Sequence, residues 1–241
     1  MLPSVLVTGC NKGIGLEFIK QLVGKTSHLF ATCRTPSNEL SKLAEENSNL
    51  HILHVEVTKD DDIFAAKEQV SHFVEDGGLH CLINNAGVVN YEHAKMENLT
   101  SESLLNTYHI NAVGPAMMVK AFLPLLRQAA TNSSSTAMPC GVLNISSRTG
   151  SIEDNGMGKL YGSRLSKVAL NMLTKNLSIE LKADNLIAVA LNPGWVKTEN
   201  GGENALITAE QSVHGMLSVY KGLTMKDSGA FLSYDGSTIP W

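Results

Sequence analysis

The 241-residue sequence predicts a single α/β domain, a doubly wound parallel sheet with helices on both faces. Three observations lead there. Short apolar runs alternate with longer amphipathic segments from end to end, the pattern of strand–helix units that share one sheet. Most of these runs are apolar on both parities, as expected of parallel strands covered on both sides. No internal repeat and no change of composition divides residues 1–241 into a second domain.

The elements follow in chain order. "SVLVT" (4–8) is the first strand, and an amphipathic segment at 14–24 follows it across a glycine-rich turn. "HLFATC" (28–33) and "HILHVEV" (51–57) are the next strands, separated by a helical pattern at 38–47. A helix at 60–75 leads to "LHCLINN" (79–85), and a long one at 101–128 leads towards "GVLNIS" (141–146). Before that strand, "TNSSSTAMPCG" (131–141) is polar and rich in turn formers, and reads as a mobile surface loop. A helix at 160–183 precedes the sixth strand, "LIAVALN" (186–192). A last helix near 208–221 precedes "GAFLSYDG", a short final strand.

Composition argues against several function classes. The chain is 43% hydrophobic and 17% charged, ordinary for a soluble globular protein. A net charge of -4 gives no electrostatic basis for binding nucleic acid, and no polybasic run favours a membrane surface. No apolar stretch is expected to approach the ~20 residues of a spanning helix. "MLPSVLVTG" enters a strand-like run at once, without a charged segment and apolar block, so no secretory signal is expected. The four cysteines, Cys10, Cys33, Cys81 and Cys140, form no CxxC pair. That argues against a zinc site or a disulfide framework and suits a reducing cytoplasm. Asn-x-Ser/Thr triplets at Asn98, Asn132, Asn144 and Asn176 read as chance.

The first strand runs into "TGCNKGIGLEF", which places Gly9, Asn11, Lys12, Gly13, Ile14 and Gly15 in the turn. Glycines between a strand and a helix allow tight backbone geometry and let a pyrophosphate approach the helix N-terminus. Free N–H groups and the helix dipole favour negative charge there. The spacing is Gly-x3-Gly-x-Gly, not the commoner Gly-x-Gly-x-x-Gly. Its place between strand and helix makes it a nucleotide site rather than a plain turn. NAD-binding chains usually carry an acid near the end of the second strand. This one reads "FATCRTPSNEL", with Arg34 and no acid before Glu39. Arg34 and Lys12 favour a 2′-phosphate, hence NADP(H); the alternative is that both are solvated surface charges. Glu56, with Val57 after it, stands at a strand end where it would meet the adenine edge.

Further along come "NNAG" (84–87), "NAVG" (111–114), "VLNISS" (142–147), "SKVAL" (166–170) and "NPGWVKT" (192–198). With "TGCNKGIG" (8–15), these motifs make the chain resemble the short-chain dehydrogenase/reductase family over nearly its whole length. "NALITAEQSV" (204–213) and "FLSYDGSTIPW" are similar to the sniffer- and C-factor-like carbonyl reductases within it. The resemblance implies a Rossmann-type fold, NADP(H) as cofactor and a small carbonyl or quinone substrate. It also implies a homodimer paired through the helices at 101–128 and 160–183.

The resemblance assigns roles by position. Asn84, Ala86 and Gly87 would form the turn after the fourth strand, beside the adenosine ribose. Asn111 would bend the long helix and hold a water in the proton relay. Ser147 would hydrogen-bond the substrate carbonyl. Lys167 would bind the nicotinamide ribose and lower the pKa of the acid. Pro193 and Gly194 would shape the nicotinamide pocket, with Val196 also at the cofactor and Thr198 near the carboxamide. Residues 196–210 would form the substrate lid. Blander roles exist: Asn111 satisfying helix backbone, or Ser146 and Ser147 capping the strand end. Adjacent strand residues face opposite ways, so at most one of the two serines faces the site.

One position breaks the family pattern. Its proton donor is a tyrosine four residues before the lysine, where both lie on one helix face. In "KLYGSRLSK" that slot holds Ser163, and Tyr161 comes two residues too early. A serine hydroxyl is a far weaker acid than a phenol and ends several ångströms short of it. At ~100° per residue, Tyr161 and Lys167 stand about 120° apart around a helix. Tyr161 would serve only if the helix started after it, on a segment made flexible by Gly156 and Gly158; the alternative is that it packs at the rim of the pocket. Two functions stay open: a reductase whose proton comes from Tyr161 or from water held by Ser163, Asn111 and Lys167, or a catalytically silent NADP(H)-binding protein acting through a partner.

Overall fold

The computed structural model describes residues 2–132 and 138–241. Seven strands, all parallel, form one sheet: β1 (Leu2–Thr8), β2 (Thr26–Cys33), β3 (Leu50–His54), β4 (Cys81–Asn84), β5 (Gly141–Ile145), β6 (Ile187–Asn192) and β7 (Phe231–Ser233). Their order across the sheet is β3-β2-β1-β4-β5-β6-β7. The chain works outward from β1 to β3, then returns to build from β4 to β7. The reversal leaves a crevice beyond the C-terminal ends of β1 and β4, where such sheets take their ligands.

Helices α1 (Gly13–Leu22), α2 (Asn38–Glu46) and α7 (Ala209–Gly222) contribute Phe18, Ile19, Leu40, Val213 and Tyr220 to one core layer. Helices α3 (Asp60–Val74), α5 (Gly114–Asn132) and α6 (Tyr161–Glu180) contribute Ile63, Val70, Phe122, Leu126 and Leu177 to the other. β1 serves both: Val5 and Val7 enter the first layer and Leu6 the second. Successive strand residues point to opposite faces, so a strand buried on both sides must be apolar on both parities.

The helix expected at 101–128 is three pieces. α4 (Ser101–Tyr108) passes through a π-helical turn, His109–Val113, into α5, which runs on to Asn132. Together they form a helical run, Ser101–Asn132, long and apolar enough by length and composition to cross a membrane. That corrects the expectation that no stretch would be. Just over half of its apolar window is buried in the protein, where Met118, Phe122 and Leu126 pack beneath the sheet. The expected loop at 131–141 begins inside α5 and ends in β5, and its centre, 133–137, lies outside the described residues.

Candidate active site

The glycine turn and the turn after β4 nest against each other at the crevice. Thr8 Oγ1 accepts from the backbone N–H groups of Asn85 (3.0 Å) and Ala86 (2.9 Å). Asn85 Nδ2 donates back to the carbonyls of Thr8 (2.8 Å) and Gly9 (3.3 Å). Gly9 has φ +72°, and a Cβ there would sit 2.9 Å from Ala86 Cα; one on Gly15 would overlap the Gly9 carbonyl oxygen. Only glycine permits that approach. Among the described residues, no side chain caps the N-terminus of α1. Asn11 Oδ1 is buried with no hydrogen-bond partner among the described residues, an acceptor that a nucleotide hydroxyl would satisfy. Ile14 is partly buried and packs against the first core layer. The residues present therefore fit a dinucleotide.

Three expected members of this region, Asn84, Lys12 and Glu56, have other side-chain partners. Asn84 does not form the turn: it ends β4 and points between layers, Nδ2 donating to Asn144 Oδ1 at 2.9 Å. Asn144 passes the chain to Thr174 Oγ1 on α6 at 2.8 Å. Asn85, which motif reading passed over, shapes the turn instead. Lys12 is exposed but not free, because it makes an ion pair with Glu199 in the expected lid. β3 ends at His54, so Glu56 lies two residues beyond the strand, and its carboxylate meets Lys59 at 3.0 Å. The hydrogen bond from Lys59 holds the Glu56 carboxyl below its ordinary pKa. Val57 braces the start of α5, where a Cβ on Gly114 would lie 2.9 Å from the Val57 carbonyl oxygen. Arg34 is exposed just past β2, and its carbonyl accepts from His54 Nδ1 at 2.9 Å.

The chemistry-bearing residues converge beyond β4 and β5. Asn111 sits in the π-helical turn and is fully buried. Its Oδ1 accepts from Val88 N–H (2.8 Å), and its Nδ2 donates to the Val88 carbonyl (2.9 Å) and to Ser166 Oγ (3.0 Å). Asn111 thus clamps the loop after β4 onto α6 rather than satisfying its own helix. Lys167 Nζ donates to the Ile145 carbonyl at 2.7 Å, and burial pushes its pKa down to about 8. A Cβ on Gly87 would stand 3.2 Å from Asn111 Oδ1 and 3.6 Å from Lys167 Nζ, so this glycine keeps the site open.

The two serines after β5 divide as the strand alternation requires. Ser146 turns inward and donates to Asn171 Oδ1 on α6 at 2.6 Å. Ser147 lies on the other side, partly exposed, and its Oγ accepts from Thr149 N–H at 3.2 Å. A hydroxyl that accepts there keeps its own hydrogen for a substrate oxygen.

Ser163 is buried one turn before Lys167, its Oγ 3.2 Å from Thr149 Oγ1. Helix α6 begins at Tyr161, directly after two left-handed residues, Lys159 (φ 56°) and Leu160 (φ 49°). The condition for Tyr161 to reach Lys167, a helix starting after it, is not met.

The 196–210 segment folds onto itself and over the glycine turn. Val196 bridges to Ile207, Trp195 Nε1 donates to the Gly201 carbonyl at 2.7 Å, and Tyr91 OH donates to the Asn200 carbonyl. A Cβ on Gly13 would lie 3.4 Å from the Thr198 methyl. Gly194 has φ +82°, and a Cβ there would press Ile207 and the Tyr234 ring. The Pro193 carbonyl accepts from Ser212 Oγ at 2.6 Å, anchoring the segment to α7.

Residues 3–206 match the short chain dehydrogenase family model. The chain belongs to that family. Among solved structures, it is similar to the carbonyl reductase Sniffer of D. melanogaster, at 37% identity and a TM-score of 0.96, each chain covered in full. It is similar to the NADPH-bound carbonyl reductase from chicken fatty liver, at 39% identity and a TM-score of 0.93, covering 100% of this chain and 99% of that one. The C-signal protein of Myxococcus xanthus is 39% identical over 165 residues, 68% of this chain and 94% of that protein.

Within this short-chain dehydrogenase, three contributors escaped motif reading: Asn85, Asn171 and Thr149. Asn171 has a sequence signal, standing four residues after Lys167 on the same helix face. It donates to the Gly150 carbonyl at 3.0 Å and so fixes the turn that carries Ser147 and Thr149. Thr149 has none, because only the packing of that turn on α6 brings it to Ser163.

Proposed function

We propose that the protein is an NADPH-dependent reductase of small carbonyl compounds or quinones, with an altered proton donor because Ser163 fills the tyrosine slot. The observation that carries this is the convergence of Ser147, its hydroxyl hydrogen free to donate, with Lys167 and Asn111 beyond β5. The NADPH-bound and carbonyl-reducing neighbours support the choice of cofactor and reaction. Reduced nicotinamide, when bound, supplies the hydride.

The chain's own residues do the rest. Gly9, Gly13 and Gly15 let the pyrophosphate reach the uncapped α1 N-terminus. Arg34 and Lys12 meet the 2′-phosphate, Lys12 after leaving Glu199. Pro193, Gly194, Val196 and Thr198 border the nicotinamide, and residues 196–210 close over the substrate. Ser147 donates to the carbonyl oxygen as negative charge develops on it, and the Lys167 ammonium stabilises that charge. Tyr161 starts α6 and stands about 120° around its axis from Lys167, so the proton comes from water beside Ser163.

A second function, a silent NADP(H)-binding protein, is favoured by Ser163 alone. The α6 side chains Leu165, Met172 and Ile179 and the α4 side chains Leu105 and Tyr108 are exposed apolar groups that support a homodimer. Four buried cysteines suit a reducing cytoplasm.

The test is NADPH oxidation by purified protein against quinones, diketones and aldehydes. Steady-state turnover is expected. Binding of NADPH without turnover across the panel would replace the first function by the second.

A further inference from the structure

We infer that Thr149 is part of the proton-delivery site, its hydroxyl joining that of Ser163 to hold a water in the space the family's phenol ring would fill. The inference rests on the reductase function proposed above. Replacing a tyrosine by serine leaves a ring-sized gap, and a serine alone cannot fill it with ordered water. A water needs two to four polar partners to stay in such a place. The structure supplies the second partner: Thr149 Oγ1 lies 3.2 Å from Ser163 Oγ.

The pair is built rather than incidental. Thr149 follows Ser147 by two residues, and its backbone N–H holds Ser147 Oγ at 3.2 Å. The same residue therefore orients the carbonyl-binding hydroxyl and contacts the occupant of the acid slot. The turn that carries it is pressed onto α6. A Cβ on Gly150 would lie 2.9 Å from Lys167 Cβ and 3.0 Å from Asn171 Nδ2, so Thr149 has little room to move. Two hydroxyls bonded to each other retain one free hydrogen and three lone pairs, enough to donate to a water and accept from it. Ser163 and Lys167 are four residues apart on one helix face, and the ammonium, which gives one hydrogen to the Ile145 carbonyl at 2.7 Å, has two others to offer that water.

The step balances. The carbonyl carbon takes the hydride with its electron pair, and the C=O π pair moves onto oxygen. That oxygen bonds a proton from the water as the water's O–H breaks. The resulting hydroxide takes a proton from the Lys167 ammonium, which is recharged from solvent. Thr149 touches the water and not the substrate, so it is a positioning residue.

The test compares Thr149→Val with Thr149→Ser. Thr149→Val should lose roughly 10²-fold in kcat, the scale of a positioned proton donor, with NADPH affinity by fluorescence titration unchanged. Its solvent deuterium isotope effect on kcat should rise, and Thr149→Ser should recover most of the rate. A crystal structure with NADP+ should place a water within hydrogen-bond reach of both hydroxyls, and that water should be missing in Thr149→Val. Wild-type kcat in Thr149→Val, or equal loss in both variants, would overturn the inference. If the wild type reduces nothing in the panel, the reductase function falls separately. The water then decides: a bridging water supports the pair, and its absence overturns it.

Discussion

Lys167 holds its charge where burial penalises it. Its pKa falls to about 8 from the ordinary 10.5, and desolvation is the cause. Unfolded, the amine binds its proton up to about pH 10.5; folded, it releases it near 8. Between those values the unfolded chain binds more protons, so stability rises with pH across that window. Below pH 8 the full cost stands, on the order of 3 kcal/mol from the size of the shift. Lys167→Met should therefore melt higher than wild type at pH 7, less whatever the lost bond to the Ile145 carbonyl contributes, while losing turnover. In wild type kcat/KM should fall as pH rises through about 8, because the ammonium proposed to stabilise the alkoxide is lost there. A profile flat to pH 10, or a lower melting point for Lys167→Met, would contradict this account.

The loop between β6 and α7 meets the glycine turn through Lys12 and Glu199. Both side chains are exposed, so the pair adds little to stability. Its effect should appear in binding, since a 2′-phosphate must draw Lys12 from Glu199. Glu199→Gln should lower the dissociation constant for NADPH several-fold, leave that for NADH unchanged and hardly move the melting point. Equal tightening of both cofactors would remove Lys12 from phosphate recognition. At this scale the sequence was legible where burial alone dictates pattern: strands with two apolar parities, and the i, i+4 pair Ser163 and Lys167 on one helix. The π-helical turn at His109–Val113 was not, because apolar periodicity records which residues are buried and not which carbonyl each N–H meets. The start of α6 was also hidden. Gly156 and Gly158 suggested a flexible approach, whereas left-handed Lys159 and Leu160 turn the chain straight into a helix at Tyr161. Asn85 and Thr149 act across 77 and 14 residues of separation, distances that only the folded packing closes.

At the scale of the whole molecule, the described residues leave one face of α6 exposed. Ser163, Lys167, Leu170, Thr174 and Leu177 are buried, while Leu165, Met172 and Ile179 are 55%, 60% and 67% exposed. Seven-residue spacing is nearly two helical turns, so these three form one stripe along the side away from the sheet. Leu105 and Tyr108 extend the apolar surface onto α4. A two-fold axis across α6 would lay the stripe against its own copy, an isologous contact that needs no other partner. Purified protein should then sediment at twice 25.9 kDa, with a melting point that rises with concentration. Leu165→Glu combined with Met172→Glu should yield a monomer, because charges cannot be buried unpaired at the centre of such a contact. The stripe shares its helix with Ser163 and Lys167, so loss of the contact should also loosen the residues proposed to deliver the proton. The monomeric variant should therefore bind NADPH as wild type does but turn over more slowly. Wild type sedimenting as a monomer at micromolar concentration would refute the dimer, and a monomeric variant with full turnover would separate assembly from catalysis.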